Sequence, residues 1–109
     1  MVNVTVFTEQ GIPVGFELTG HADQGAYGEN IVCAGISAIT QTALLGITDV
    51  LKLDAGYTLD EGNVSCVLSR ETAGEDIEKA AVVFNTMIAG LMSLCKAYPK
   101  SLKFSYREV

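Results

Sequence analysis

At 109 residues and 11.6 kDa the chain is the size of one small domain, long enough to bury roughly 60–70% of its unfolded surface without staples. Hydrophobic residues make up 49% and charged residues 18%, a balance that argues against intrinsic disorder. Seven Lys+Arg against thirteen Asp+Glu leave a net charge of −6, which disfavours a general binder of nucleic acid or anionic membrane and suits a basic partner.

The opening stretch MVNVTVFTEQ has neither a basic n-region nor an apolar h-region, so no targeting segment is expected. The uncharged runs 31–48 and 80–95 are interrupted by polar side chains such as Thr40, Gln41, Asn85 and Ser93, which fits buried helices better than membrane spans. Cys33, Cys66 and Cys95 are far apart and odd in number, a pattern that suits free thiols in a reducing cytoplasm. With a single histidine and no C-x-x-C, no metal site is expected.

In chain order, Val2, Val4 and Val6 alternate with Asn3, Thr5 and Phe7 as a strand. Gln10-Gly11-Ile12-Pro13 has turn chemistry, and Val14, Phe16 and Leu18 continue as a second strand, so the chain opens on a hairpin. The stretch 20–30 holds three glycines and no apolar period, and reads as a loop of about ten residues. Asn30 is placed to N-cap a helix from 31 to about 53 with Ile36, Ile39, Ala43, Ile47 and Val50 inward. Gly35 and Gly46 weaken that helix unless tight packing compensates.

Residues 57–59 and 63–70, joined by Asp60-Glu61-Gly62, read as a second hairpin. Thr72-x-x-Glu75 fits a capping box opening a helix to about Ala97, with Ile77, Ala81, Phe84, Ile88 and Leu91 inward. Pro99 follows, and Leu102, Phe104 and Tyr106 alternate as a closing strand. The order ββαββαβ predicts a two-layer α+β fold, a mainly antiparallel sheet with two helices on one face, in a single domain over 1–109.

The chemistry concentrates in GHADQGAYGENIVCAGIS, residues 20–37. With Asn30 as N-cap, Cys33 falls in the first helical turn, where unpaired amides and the helix dipole stabilise an anion and raise the thiolate fraction. His21, across a glycine-rich loop, is placed to take the thiol proton and later protonate a leaving amine. Backbone amides at the helix start are the expected oxyanion donors.

A cysteine in an apolar run such as Ile-Val-Cys-Ala is more often core, and Cys66 and Cys95 read that way too. Ser37 lies one turn beyond Cys33 on the same helical face, placed either to hydrogen-bond thiolate or substrate or to allow close packing. Asp23 and Glu29 stand where a carboxylate orients a histidine, or where it is merely solvated. Gly25 and Gly28 fit neither phosphate-binding glycine motif, and no Lys or Arg precedes Lys52, which excludes a nucleotide site.

At this stretch the sequence resembles the ribosomal-processing cysteine proteases of bacteria (the Prp, or YsxB-like, family), whose pattern is close to G-H-A/S-x-x-G-x-x-G-x-D-I-V-C-A-x-x-S. Here it appears as Gly20-His21-Ala22, Gly25, Gly28 and Ile31-Val32-Cys33-Ala34 through Ser37. The resemblance implies a cofactor-free cytoplasmic endopeptidase that removes the N-terminal extension of a basic large-subunit ribosomal protein, the twenty-seventh of the usual series. It assigns the nucleophile to Cys33, the general base to His21 and a supporting role to Ser37. It also implies a homodimer, and a substrate loop (Gly20, Ala22, Asp23, Gly25, Tyr27, Gly28) that orders on the extension peptide.

The family commonly has Asp where this chain has Asn30. Asn caps a helix about as well, but an amide weakens any histidine-orienting role and removes a negative charge beside the thiolate. Two other readings of the same residues are a non-catalytic ribosome-associated module that grips a basic tail, and a redox sensor using Cys33 as an oxidisable thiol.

Overall fold

The computed structural model describes residues 1–20 and 27–109, with side chains from residue 31 onward in the second segment. Strands β1 (Val2–Glu9) and β2 (Ile12–Thr19) form the opening hairpin, in register Val4↔Leu18 and Val6↔Phe16. The alternation of valines thus delivers one apolar face. The turn is tighter than the sequence suggests: only Gln10 and Gly11 lie in it, both at positive φ, and Pro13 already belongs to β2 opposite Thr8, where the register shifts.

Helix α1 (Tyr27–Leu45) runs into a π-helical turn, Gly46–Val50, in which the Leu51 N–H donates to the Gly46 carbonyl at 2.9 Å. Strands β3 (Ala55–Asp60) and β4 (Asn63–Leu68) make the second hairpin around Glu61-Gly62. Helix α2 (Gly74–Ala97) and strand β5 (Leu102–Glu108) complete the chain. The sheet order is β3-β4-β2-β1-β5, antiparallel throughout except for β1 beside β5. This is the expected α+β architecture, ββαββαβ.

The core lies between the sheet and the helices. Val2, Val4 and Val6 of β1, Phe16 and Leu18 of β2 and Cys66 of β4 face Ile36, Ala43 and Ile47 from the first helical segment and Phe84, Ile88 and Leu91 from α2. The Phe16 and Phe84 rings meet edge to face, centroids 6.0 Å apart, and burial of side chains this size stabilises by roughly 1.5–3 kcal/mol each. The opposite sheet face is polar: the Thr5 and Ser105 hydroxyls lie 3.3 Å apart and those of Thr58 and Ser65 2.7 Å apart.

Gly46 meets the expected packing demand, since a Cβ there would sit 3.0 Å from a Val83 methyl on α2.

Two local expectations are corrected. Val50 is 76% exposed rather than inward, because the extra residue of the π turn rotates it off the apolar stripe. Buried Val32, Thr40 and Leu44 complete that stripe instead. The capping box at Thr72 does not form. The Thr72 hydroxyl donates to the Ser69 carbonyl at 2.6 Å, and α2 starts after Ala73 with no side-chain cap.

Candidate active site

The 3.6-residue period of α1 puts Cys33, Ser37 and Gln41 on one face, and all three line a cleft of about 480 Å³ between α1 and the β3–β4 hairpin. Leu18 and Val64 contribute from the sheet, while Leu59, Asp60 and Glu61 form the rim. Cys33 is a free, half-buried thiol, as access by a peptide requires, and Ser37 is half-buried beside it.

Gly20 also lines the cleft. Its φ of +102° is one that L side chains rarely adopt, and its N–H donates to the Gly62 carbonyl at 3.1 Å. That bond ties the end of β2 to the tip of the neighbouring hairpin at the mouth of the cleft. The next residue in sequence is His21.

Among the sequence-derived site residues, Cys33, Ser37 and Gly20 are therefore brought together. His21, Ala22, Asp23 and Gly25 lie outside the described residues. The helix start is corrected: α1 begins at Tyr27, so Asn30 is inside the helix and is not its N-cap, and Tyr27 and Gly28 are helical rather than loop. Cys33 is the seventh helical residue and lies in the second turn. A helix dipole acts chiefly within its first turn, and the unpaired amides of residues 27–29 lie roughly 6–9 Å along the axis from Cys33. Neither the dipole activation nor the oxyanion donors placed there follow from this geometry.

The remaining thiols fit their reading as packing groups. Cys66 is fully buried, and desolvation pushes its pKa up to about 11, which keeps it a neutral thiol. Cys95 is half-buried with its thiol 3.8 Å from the Leu102 carbonyl. The sequence reading missed the hairpin side of the cleft, Leu59 to Val64. Spacing from Cys33 finds Ser37 and Gln41 by adding four and eight, whereas the hairpin arrives through the pairing of β2 with β4, Leu18↔Val64 and Thr19↔Asn63, which no local pattern encodes.

Comparison with known proteins bears on this arrangement. A family model for the cysteine protease Prp matches residues 1–103. The ribosomal processing cysteine protease Prp of Staphylococcus aureus is 30% identical over 109 residues, covering 97% of each chain. A crystal structure of a Streptococcus mutans protein superposes with a TM-score of 0.85 at 28% identity, over 100% of this chain and 96% of that one. The S. aureus protease Prp crystallised with a substrate peptide has the same fold, with a TM-score of 0.81 at 23% identity over 98% of this chain and all of that one. With motif and fold in agreement, the chain belongs to the Prp cysteine protease family and is an enzyme, rather than a non-catalytic tail-binding module.

Proposed function

We propose that the chain cleaves the N-terminal extension from the twenty-seventh large-subunit ribosomal protein, with Cys33 as nucleophile and His21 as general base. The observation that carries this reading is the cleft in which a half-buried Cys33 stands beside Ser37, with Gly20, the residue preceding His21, at its mouth. Because Cys33 lies beyond the first helical turn, ionisation of its thiol falls to His21 rather than to the helix dipole.

The imidazole accepts the thiol proton as Sγ bonds to the scissile carbonyl carbon, and the carbonyl oxygen becomes an oxyanion. When that oxygen re-forms its double bond, the C–N bond breaks and the imidazolium gives its proton to the departing amine. A thioester on Cys33 is left. Water, deprotonated by His21, then attacks the thioester and releases the carboxylate product and the thiol. Ser37, one turn away, supplies a hydroxyl to the same cleft. Ala22, Asp23, Gly25, Tyr27 and Gly28 lie on the segment between the two reacting residues and contact the bound peptide, and Asn30 supports the dyad.

A chain of net charge −6 attracts a basic ribosomal protein. The enzyme acts in the cytoplasm as a homodimer and needs no cofactor. Incubating the extended ribosomal protein with the parent protein and with Cys33→Ala tests the reading: the parent yields a new N-terminus by mass spectrometry, and Cys33→Ala yields none. Identical processing by both proteins would refute it.

A further inference from the structure

Strand β3 ends the sheet and is paired, among the described residues, only with β4. Its two-residue turn makes Asp60↔Asn63 the hydrogen-bonded closing pair, and at the other end the Ser69 N–H donates to the Asp54 carbonyl at 3.1 Å. The even-numbered residues of β3 therefore face β4. Ala55, Tyr57 and Leu59 turn their N–H and C=O groups to the free edge.

Ala55–Asp60 contains no Lys, Arg or Pro, its register with β4 runs without a bulge, and among the described residues its only charged side chain is Asp60 at the turn end. The opposite edge strand, β5, carries Lys103 and Arg107. On the helix side, α1 packs on β4 and α2 on β2, so β3 projects beyond the helix layer. Tyr57 and Leu59 are 58% and 51% exposed on the face that otherwise forms the core. Leu59 and Asp60 also line the cleft that holds Cys33. Carboxylates of Asp54, Asp60 and Glu61 stand exposed at the two ends of the strand, against the single cation of Lys52.

We propose that the free edge of β3 is the strand to which the substrate's main chain adds, so that an extended, positively charged peptide lies over Tyr57 and Leu59 and is led into the Cys33 cleft. Main-chain bonds to residues 55, 57 and 59 supply affinity. The two exposed side chains select apolar groups at alternate peptide positions, and the flanking carboxylates select basic ones. This rests on the reading of Cys33 as the nucleophile of a peptide-cleaving enzyme.

The test uses Cys33→Ala protein and a fluorescein-labelled peptide spanning the ribosomal-protein extension and its cleavage point, with binding read by anisotropy. Single N-methyl groups walked along the peptide are expected to weaken binding about 5- to 10-fold at alternating residues and little between them, since each removes one main-chain donor. Leu59→Pro removes a free-edge donor without touching the β3–β4 ladder, and is expected to weaken binding by a similar factor. Asp60→Asn with Glu61→Gln is expected to flatten the salt dependence of binding.

Equal binding of all N-methylated peptides would overturn the proposal, whether or not Leu59→Pro folds. So would a Leu59→Pro protein that binds normally, or one that loses only self-association, which would give the edge to a second copy of the chain. The two readings fail separately. Cys33-dependent cleavage with no N-methyl pattern refutes the docking alone. An alternating pattern on a peptide that the parent protein never cleaves supports the docking and refutes the enzymatic reading.

Discussion

Replacing Gly20 by alanine perturbs the one described residue that connects the sheet to the proposed base. At φ +102° an L residue lies outside even the small left-handed region, a strain of about 1–2 kcal/mol. The new Cβ would meet the Met1 carbonyl oxygen at 2.7 Å, a backbone atom that moves only with the start of β1. Relief of that collision pulls on the bond from the Gly20 N–H to the Gly62 carbonyl, worth about 1 kcal/mol. The expected total is about 2–3 kcal/mol, or a fall in Tm on the order of 10–20 °C for a domain of this size.

Gly11→Ala is the matched control. It too sits at positive φ, +80°, but with no atom within 4 Å of the added Cβ, so it should cost only about 1 kcal/mol. Because the displaced backbone leads directly to His21, Gly20→Ala should also lose at least about tenfold in kcat/KM at a temperature where it is fully folded, while Gly11→Ala keeps its activity. Thermal denaturation followed by circular dichroism, together with cleavage of the extension peptide, measures both quantities. A Gly20→Ala protein matching Gly11→Ala in Tm and the parent in kcat/KM would refute the reasoning.

Other consequences are open to direct measurement. Cys66→Ser puts a hydroxyl into a fully buried site beside Phe16, its cross-strand partner, and should cost about 1–3 kcal/mol in urea unfolding with kcat retained. Since the Cys66 thiol is held up to about 11 by burial, the unfolded chain ionises first, and unfolding titrations should show stability falling as pH rises from about 9 toward 11, a slope that Cys66→Ala removes. The Glu108 carboxylate accepts hydrogen bonds from the Thr8 hydroxyl and the Gln10 and Gly11 amides, which lower its pKa. Its contribution is present above the ordinary carboxylate pKa and lost as pH falls through the depressed one, so Glu108→Gln should flatten the acid limb of the stability profile. Raising ionic strength should raise KM for the extension peptide more than it lowers kcat, given the net charge of −6.

Strand alternation made much of the fold legible. Val2, Val4, Val6, Phe16 and Leu18 mark one face, and all are buried there. What the sequence obscured has identifiable causes. The start of α1 is hidden because Tyr27, Gly28 and Glu29 carry no apolar period, and Asn30 imitates a cap four residues late. Thr72 matches a capping box, but its hydroxyl is taken by the turn at Ser69. The sheet order, with β1 between β2 and a parallel β5, depends on strand pairs about 100 residues apart that no local pattern records. For the site, the helical spacing of Cys33 and Ser37 was readable, whereas the hairpin wall opposite them appears only when β4 pairs with β2.

The most direct measurement is covalent capture. A chloromethyl ketone built on the residues preceding the cleavage point should add one equivalent to the protein, abolish cleavage in proportion, and map to Cys33, with Cys66 and Cys95 unmodified and the adduct absent from His21→Ala. Stoichiometric labelling of another cysteine with loss of activity, or full turnover after Cys33 is blocked, would contradict the assignment of Cys33 as the nucleophile.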